Sequence, residues 1–136
     1  MDHIESLENA YQNASRDGVN VRAMIVSNPH NPLGRCYSRT IVERLIRFAS
    51  KHSLHVIFDE VFALSVFDHL TEGSKGSKAD PFISVLSLDN LSTLIDPALV
   101  HVIYGVSKDF CLNGLRVGFH ISPWNGEVVQ AMRHMS

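Results

Sequence analysis

What this sequence has little of narrows its class first. It holds only two cysteines, Cys36 and Cys111, which form no C-x-x-C pair. That is too few for a disulfide framework and points to a reducing compartment. No apolar run approaches the ~18 residues of a membrane-spanning helix. The opening Met1-Asp2-His3-Ile4-Glu5 lacks both the basic and the apolar stretch of a secretion signal, so a cytoplasmic location is expected. An excess of one charge is also missing. Twelve Lys plus Arg against 14 Asp plus Glu leave a net charge of -2, which argues against nucleic-acid and membrane-surface partners. Neither a Gly-x-Gly-x-x-Gly nor a P-loop lysine motif occurs, so a nucleotide-binding domain lacks its signature. Histidine is plentiful at eight. His52 and His55, however, are three apart across a helix end, and no carboxylate or thiolate has ligand spacing, so no metal is expected.

The remainder is ordinary globular matter, with 45% hydrophobic and 19% charged residues in 136 positions, enough for one domain spanning 1–136. Ile4, Leu7, Tyr11 and Ala14 repeat at helical steps until Gly18. Val21 to Val26 reads as a strand. Ser38 is a plausible N-cap for a helix in which Ile41, Leu45 and Phe48 share a face to about His52. Leu54 to Phe58 is a mostly apolar strand, which suits a sheet covered on both faces. Residues 71–81 are polar and glycine-rich, a surface loop. Leu99 to Tyr104 is a third strand with Gly105 to Gly114 as its loop. Leu115 to Ile121 is expected as a fourth strand and Glu127 to His134 as a closing helix.

This alternation predicts an α/β fold with a mostly parallel sheet flanked by helices. In such sheets, polar residues past the C-terminal strand ends converge on one crevice. Asn31 follows the first strand, Asp59 the second and Lys108 the third. Each has a plainer reading in isolation: Asn31 between two prolines is a turn residue, Asp59 a cap or surface charge, and Lys108 a solvated amine.

Three ordered motifs carry a resemblance. They are Asn28-Pro29-His30-Asn31-Pro32-Leu33-Gly34, Asp59-Glu60-Val61-Phe62, and Ser107-Lys108-Asp109-Phe110 leading to Gly114-Leu115-Arg116-Val117-Gly118. Together they resemble the pyridoxal-phosphate enzymes of the class I/II aminotransferase family. Leu7-Glu8-Asn9-Ala10-Tyr11 and the wording of the Asn28 and Ser107 segments are most similar to its 1-aminocyclopropane-1-carboxylate synthase-like branch. The resemblance implies part of a fold-type I large domain and pyridoxal 5'-phosphate as cofactor. It also implies an α-amino acid as substrate and a homodimer with the cofactor near the subunit boundary. By the same resemblance, Lys108 is the lysine whose amine forms a Schiff base with the cofactor aldehyde and shuttles the substrate α-proton. Asp59 faces the ring nitrogen, Asn31 the phenolic oxygen, and Ser107 and Arg116 the phosphate. Transfer and lyase chemistry share their first steps, and nothing in these motifs selects S-adenosylmethionine.

The pattern departs in three places. Phe62 stands where the family usually has a tyrosine, so it packs against the ring without donating a hydroxyl. Gly105 stands where many relatives place a phosphate-binding serine. The family's upstream glycine-rich turn and ring-stacking aromatic, and its downstream substrate arginine, have no counterpart, so a fragment short of full activity is expected. The alternative is a non-catalytic remnant or interaction domain of the same fold. Cys111, three residues after Lys108, is expected to be either near the cofactor or, more simply, a small buried residue.

Overall fold

The computed structural model describes residues 3–66 and 80–134. Four strands, β1 (Ala23–Ser27), β2 (His55–Asp59), β3 (Val100–Gly105) and β4 (Gly118–Ile121), form one sheet in the order β1-β2-β3-β4. β1, β2 and β3 are parallel, and β4 runs antiparallel to β3. The sheet is therefore mostly parallel, as the αβ alternation predicts.

Register divides the strand residues between two faces. Val26, Phe58 and Val102 lie abreast on one face, with Val56 and Val100 beside them. All five are buried. Against this face packs α2 (Arg39–Lys51), which buries Val42, Leu45, Ile46, Phe48 and Ala49. Its start is set locally, because Ser38 has extended backbone and its hydroxyl accepts from the Ile41 amide. α1 (His3–Arg16) adds half-buried Ile4, Leu7 and Tyr11 to the same core. Glu8 fastens α1 to the end of α2, 3.0 Å from the Lys51 amine and 3.1 Å from His52 Nε2.

Residues 82–99, unassigned by the periodicity, complete that layer. They form a short helical turn at Val85–Ser87, α3 (Leu91–Leu94) and a second turn at Pro97–Leu99. These pieces bury Val85, Leu88, Leu91, Leu94 and Ile95. Glu60 holds them to β2, since its buried carboxylate accepts the Val85 amide at 2.9 Å. Burial pushes this carboxyl up, against the opposing pull of the Val85 and Ser84 hydrogen bonds.

Three expectations need correction. The sheet is not covered on both faces among the described residues: Ile25 is 69% and Ile103 37% exposed. β4 begins at Gly118, not Leu115, because Leu115 belongs to a helical turn and Arg116 is left-handed at φ 53°. Cys111 is exposed, not buried. The expected loop over 71–81 lies outside the described residues as far as position 79. After β3 comes a single turn, α4 (Val106–Asp109), and the described chain closes with α5 (Gly126–Arg133).

Candidate functional site

Parallel pairing puts the C-terminal ends of β1, β2 and β3 at one edge. Ser27 pairs with Asp59, and Asp59 with Ile103. Three segments leave the sheet there: Asn28 to Tyr37, Glu60 to Ser65, and α4. All the sequence-predicted candidates sit on these segments or just beyond.

The first segment is folded back on itself by Asn28, which is fully buried. Its backbone amide donates to the Asp59 carbonyl at 3.0 Å. Its side-chain oxygen accepts the Tyr37 amide at 2.9 Å. Inside the loop the His30 amide donates to the Arg35 carbonyl and the Gly34 amide to the His30 carbonyl, both at 2.8 Å. Gly34 has φ +59°, a backbone that a side chain disfavours. Asn31 lies exposed near the tip and lines a cavity of about 310 Å³ together with Pro29, Cys36, Phe62 and Ser65.

Asp59 is half-buried as the last residue of β2, and its Oδ1 accepts the Val61 amide at 3.3 Å. Lys108 rides on α4, exposed, with Nζ 5.6 Å from the centroid of the Phe62 ring. An ammonium over an aromatic face at that distance is a favourable cation–π contact. Asn31 and Phe62 thus share a cavity, Phe62 and Lys108 share a ring contact, and Asp59 closes the adjoining strand end. Ser107 is half-buried beside Lys108 on the same turn. Arg116 lies exposed just after the turn that follows α4, and its Nη1 donates to the Asn113 carbonyl at 3.1 Å.

Two residues escaped the sequence reading. Asn28 carries a buried side-chain nitrogen, Nδ2, with no partner among the described residues; the signal in the sequence is the first of the two Asn-Pro pairs in one segment. Asp109 was read as part of a motif, yet it accepts hydrogen bonds from the Leu64 amide, the Ser65 hydroxyl and the Tyr104 hydroxyl. No local pattern signals these, since Leu64 and Ser65 are 45 and 44 residues away.

Comparisons with known proteins give the family. Residues 3–136 match the family described as aminotransferase class I and II. The chain belongs to the class I and II aminotransferase family. It is 46% identical over 115 residues to the mouse 1-aminocyclopropane-1-carboxylate synthase-like protein 1, which covers 85% of this chain and 20% of that protein. It is 36% identical over 132 residues to 1-aminocyclopropane-1-carboxylate synthase 1 of Prunus mume, covering 97% of this chain and 24% of the relative. Among solved structures, the aspartate aminotransferase of Thermus thermophilus with maleate matches at a TM-score of 0.60 and 25% identity, over 84% of this chain and 25% of that one. An aromatic aminotransferase from Pyrococcus horikoshii matches at 0.59 and 29% identity, over 76% of this chain and 24% of its own. The chain thus spans about a quarter or less of each of these relatives.

Class I and II aminotransferases are pyridoxal-phosphate-dependent enzymes. The donor types at the sheet edge fit that cofactor: a side-chain amide on the cavity beside Phe62, a primary amine over the Phe62 ring and a carboxylate at the end of β2, although the cavity lining itself includes neither Asp59 nor Lys108. In the same segment the amide nitrogen of Asn28 is buried with no partner among the described residues. Among the described residues no helix is long and apolar enough to cross a membrane.

Proposed function

We propose that this chain carries the cofactor-holding part of a pyridoxal-phosphate enzyme acting on an α-amino acid, with Lys108 as the lysine that takes the cofactor aldehyde. The observation that carries the reading is the Lys108 amine over Phe62, a residue that shares its cavity with Asn31. When bound, pyridoxal phosphate supplies an aldehyde and a ring that draws electron density from the substrate α-carbon.

The chain's own groups do the rest. The Lys108 amine would hold the aldehyde carbon, and as a free amine it would move the substrate α-proton as a general base. The Asp59 carboxylate keeps a proton on the ring nitrogen, which strengthens the ring's pull on electrons. The Asn31 amide donates to the phenolic oxygen. Phe62 packs against the ring without a hydroxyl, so that oxygen has one donor fewer than a tyrosine would provide. Ser107 and Arg116 would hold the phosphate, Arg116 with the guanidinium N–H donors that its Nη1 bond to the Asn113 carbonyl leaves over. In the whole protein we place the site near the boundary of a homodimer.

A second reading, a domain that keeps the sheet without chemistry, is favoured by Phe62 and Gly105, which lack the hydroxyls of the family pattern. One titration separates the two. Pyridoxal phosphate added to the chain is expected to give a saturable visible absorption band that Lys108→Ala abolishes and Asp59→Asn shifts. A band of equal strength in Lys108→Ala contradicts the enzyme reading and leaves only nonspecific lysine chemistry.

A further inference from the structure

Asp109 stands next to Lys108 and joins three separate pieces of chain. Its Oδ2 accepts from the Leu64 amide and the Tyr104 hydroxyl, each at 2.9 Å. Its Oδ1 accepts from the Ser65 hydroxyl. Tyr104 belongs to β3, whereas Leu64 and Ser65 end the segment leaving β2. That segment carries Phe62 and Ser65, two walls of the cavity that Asn31 lines. Within it, the Ala63 amide bonds the Glu60 carbonyl and the Ser65 amide the Phe62 carbonyl, so it is a tight turn.

We propose that Asp109 is a positioning residue: its carboxylate fastens the Phe62-bearing turn onto the lysine-bearing turn and so sets the distance between the Lys108 amine and the cavity wall. This rests on the assignment of Lys108 as the cofactor lysine. Without the carboxylate, the ties of the Phe62 turn among the described residues run mainly through the strand end at Asp59 and Glu60, five residues from Leu64 and four respectively. The wall then drifts relative to the amine. A carboxylate suits the task because one side chain accepts several donors at once, and hydrogen bonds to a charged acceptor are about twice as strong as neutral ones. Partial burial pushes the Asp109 carboxyl up, but the hydrogen bonds from Ser65, the Leu64 amide and Tyr104 outweigh it and hold it below its ordinary value of 3.8.

The test uses pyridoxal phosphate itself and two readouts. In the free protein, the Leu64 amide proton is expected to follow a carboxyl titration below pH 3.8, a transition absent from Asp109→Asn. In the cofactor titration, Asp109→Asn is expected to weaken the saturable band roughly tenfold and shift its pH profile. Asp109→Glu, which keeps the charge, restores part of the loss. Ser65→Ala and Tyr104→Phe each remove a single donor and are expected to weaken the band several-fold with unchanged far-ultraviolet dichroism, so the question is answered even where Asp109→Asn fails to fold. Binding by Asp109→Asn, or by both single-donor variants, within about twofold of the unaltered chain overturns the inference while Lys108→Ala still loses the band. A band retained in Lys108→Ala overturns the functional reading, and the positioning role with it.

Discussion

Glu8 shows how much one carboxylate can be altered by its neighbours. The hydrogen bonds from His52 and then Lys51 lower its pKa from 4.5 to about 2. A depressed carboxyl stabilises the fold above its unfolded value and loses that contribution as pH falls. Docking of α1 on α2 is therefore expected to persist above pH 4.5 and to weaken between there and about 2. Side-chain carbon shifts of Glu8 followed against pH check this; His52→Ala should move the midpoint up toward 4.5. Glu60 has the opposite sign. Its carboxyl is raised by burial, so its contribution is largest in acid and declines as pH rises through the raised value. Gly105, where relatives place a serine, has extended backbone at φ -163°. A Cβ there meets nothing nearer than the Val117 carbonyl oxygen at 3.5 Å, an ordinary contact. Gly105→Ser is expected to fold with a stability change within about 0.5 kcal/mol and to tighten pyridoxal-phosphate binding. A large loss of melting temperature would show that the backbone at 105 tolerates no side chain.

At the scale of elements, α2 and the β1–β3 layer carry most of the core. Ser38→Ala removes the acceptor for the Ile41 amide and is expected to cost about 1 kcal/mol. Phe58→Ala empties the centre of the buried face and should cost about 3–5 kcal/mol in urea unfolding. The open face has a different vulnerability. His55, His101 and His120 stack in a row across β2, β3 and β4, with centroids 5.1 and 5.6 Å apart. His55 Nδ1 is 2.8 Å from His101 Nε2, and His101 Nδ1 is 2.7 Å from Ser122 Oγ. A single proton serves the His55–His101 bond; a second proton on the facing nitrogens sets two N–H groups against each other and breaks it. Burial first, then the nearby His55 and His120, lowers the His101 pKa from 6.5. The unfolded chain then binds more protons than the folded one just below pH 6.5, so stability is lost as pH falls through that region. Melting temperature should drop between pH 7.5 and 5.5, about the range in which histidine titrates, and His101→Gln should flatten the drop. An identical profile in that variant would contradict the assignment.

At the scale of the whole molecule, the sheet has one packed face and one only partly covered among the described residues, since His101 on that second face is buried while Ile25 and Ile103 are exposed. Among the same residues β1 is an edge strand, paired only to β2. Exposed apolar surface beside an open strand edge favours self-association. The chain is expected to sediment as concentration-dependent aggregates, and Ile25→Lys with Ile103→Lys should reduce them; a clean monomer at all concentrations would contradict this.

Legibility in the sequence followed the range of the interactions concerned. Ser38, Ile41, Leu45 and Phe48 announce α2 because cap and stripe are local, and the apolar runs around Val26, Phe58 and Val102 announce three strands. Residues 82–99 stayed silent because turns of three or four residues have no period to read. The left-handed backbone of Arg116 and the bonds from Asp109 to Leu64 and Ser65 depend on tertiary placement, so the sequence named Lys108 and Asn31 without showing what holds their surroundings.

The account stands most directly on where pyridoxal phosphate attaches. Borohydride reduction of the chain with limiting cofactor, followed by peptide mapping, is expected to place the label on Lys108, leaving Lys51 and the other lysines nearly unlabelled. A label spread evenly over all lysines, or concentrated away from residue 108, would contradict it.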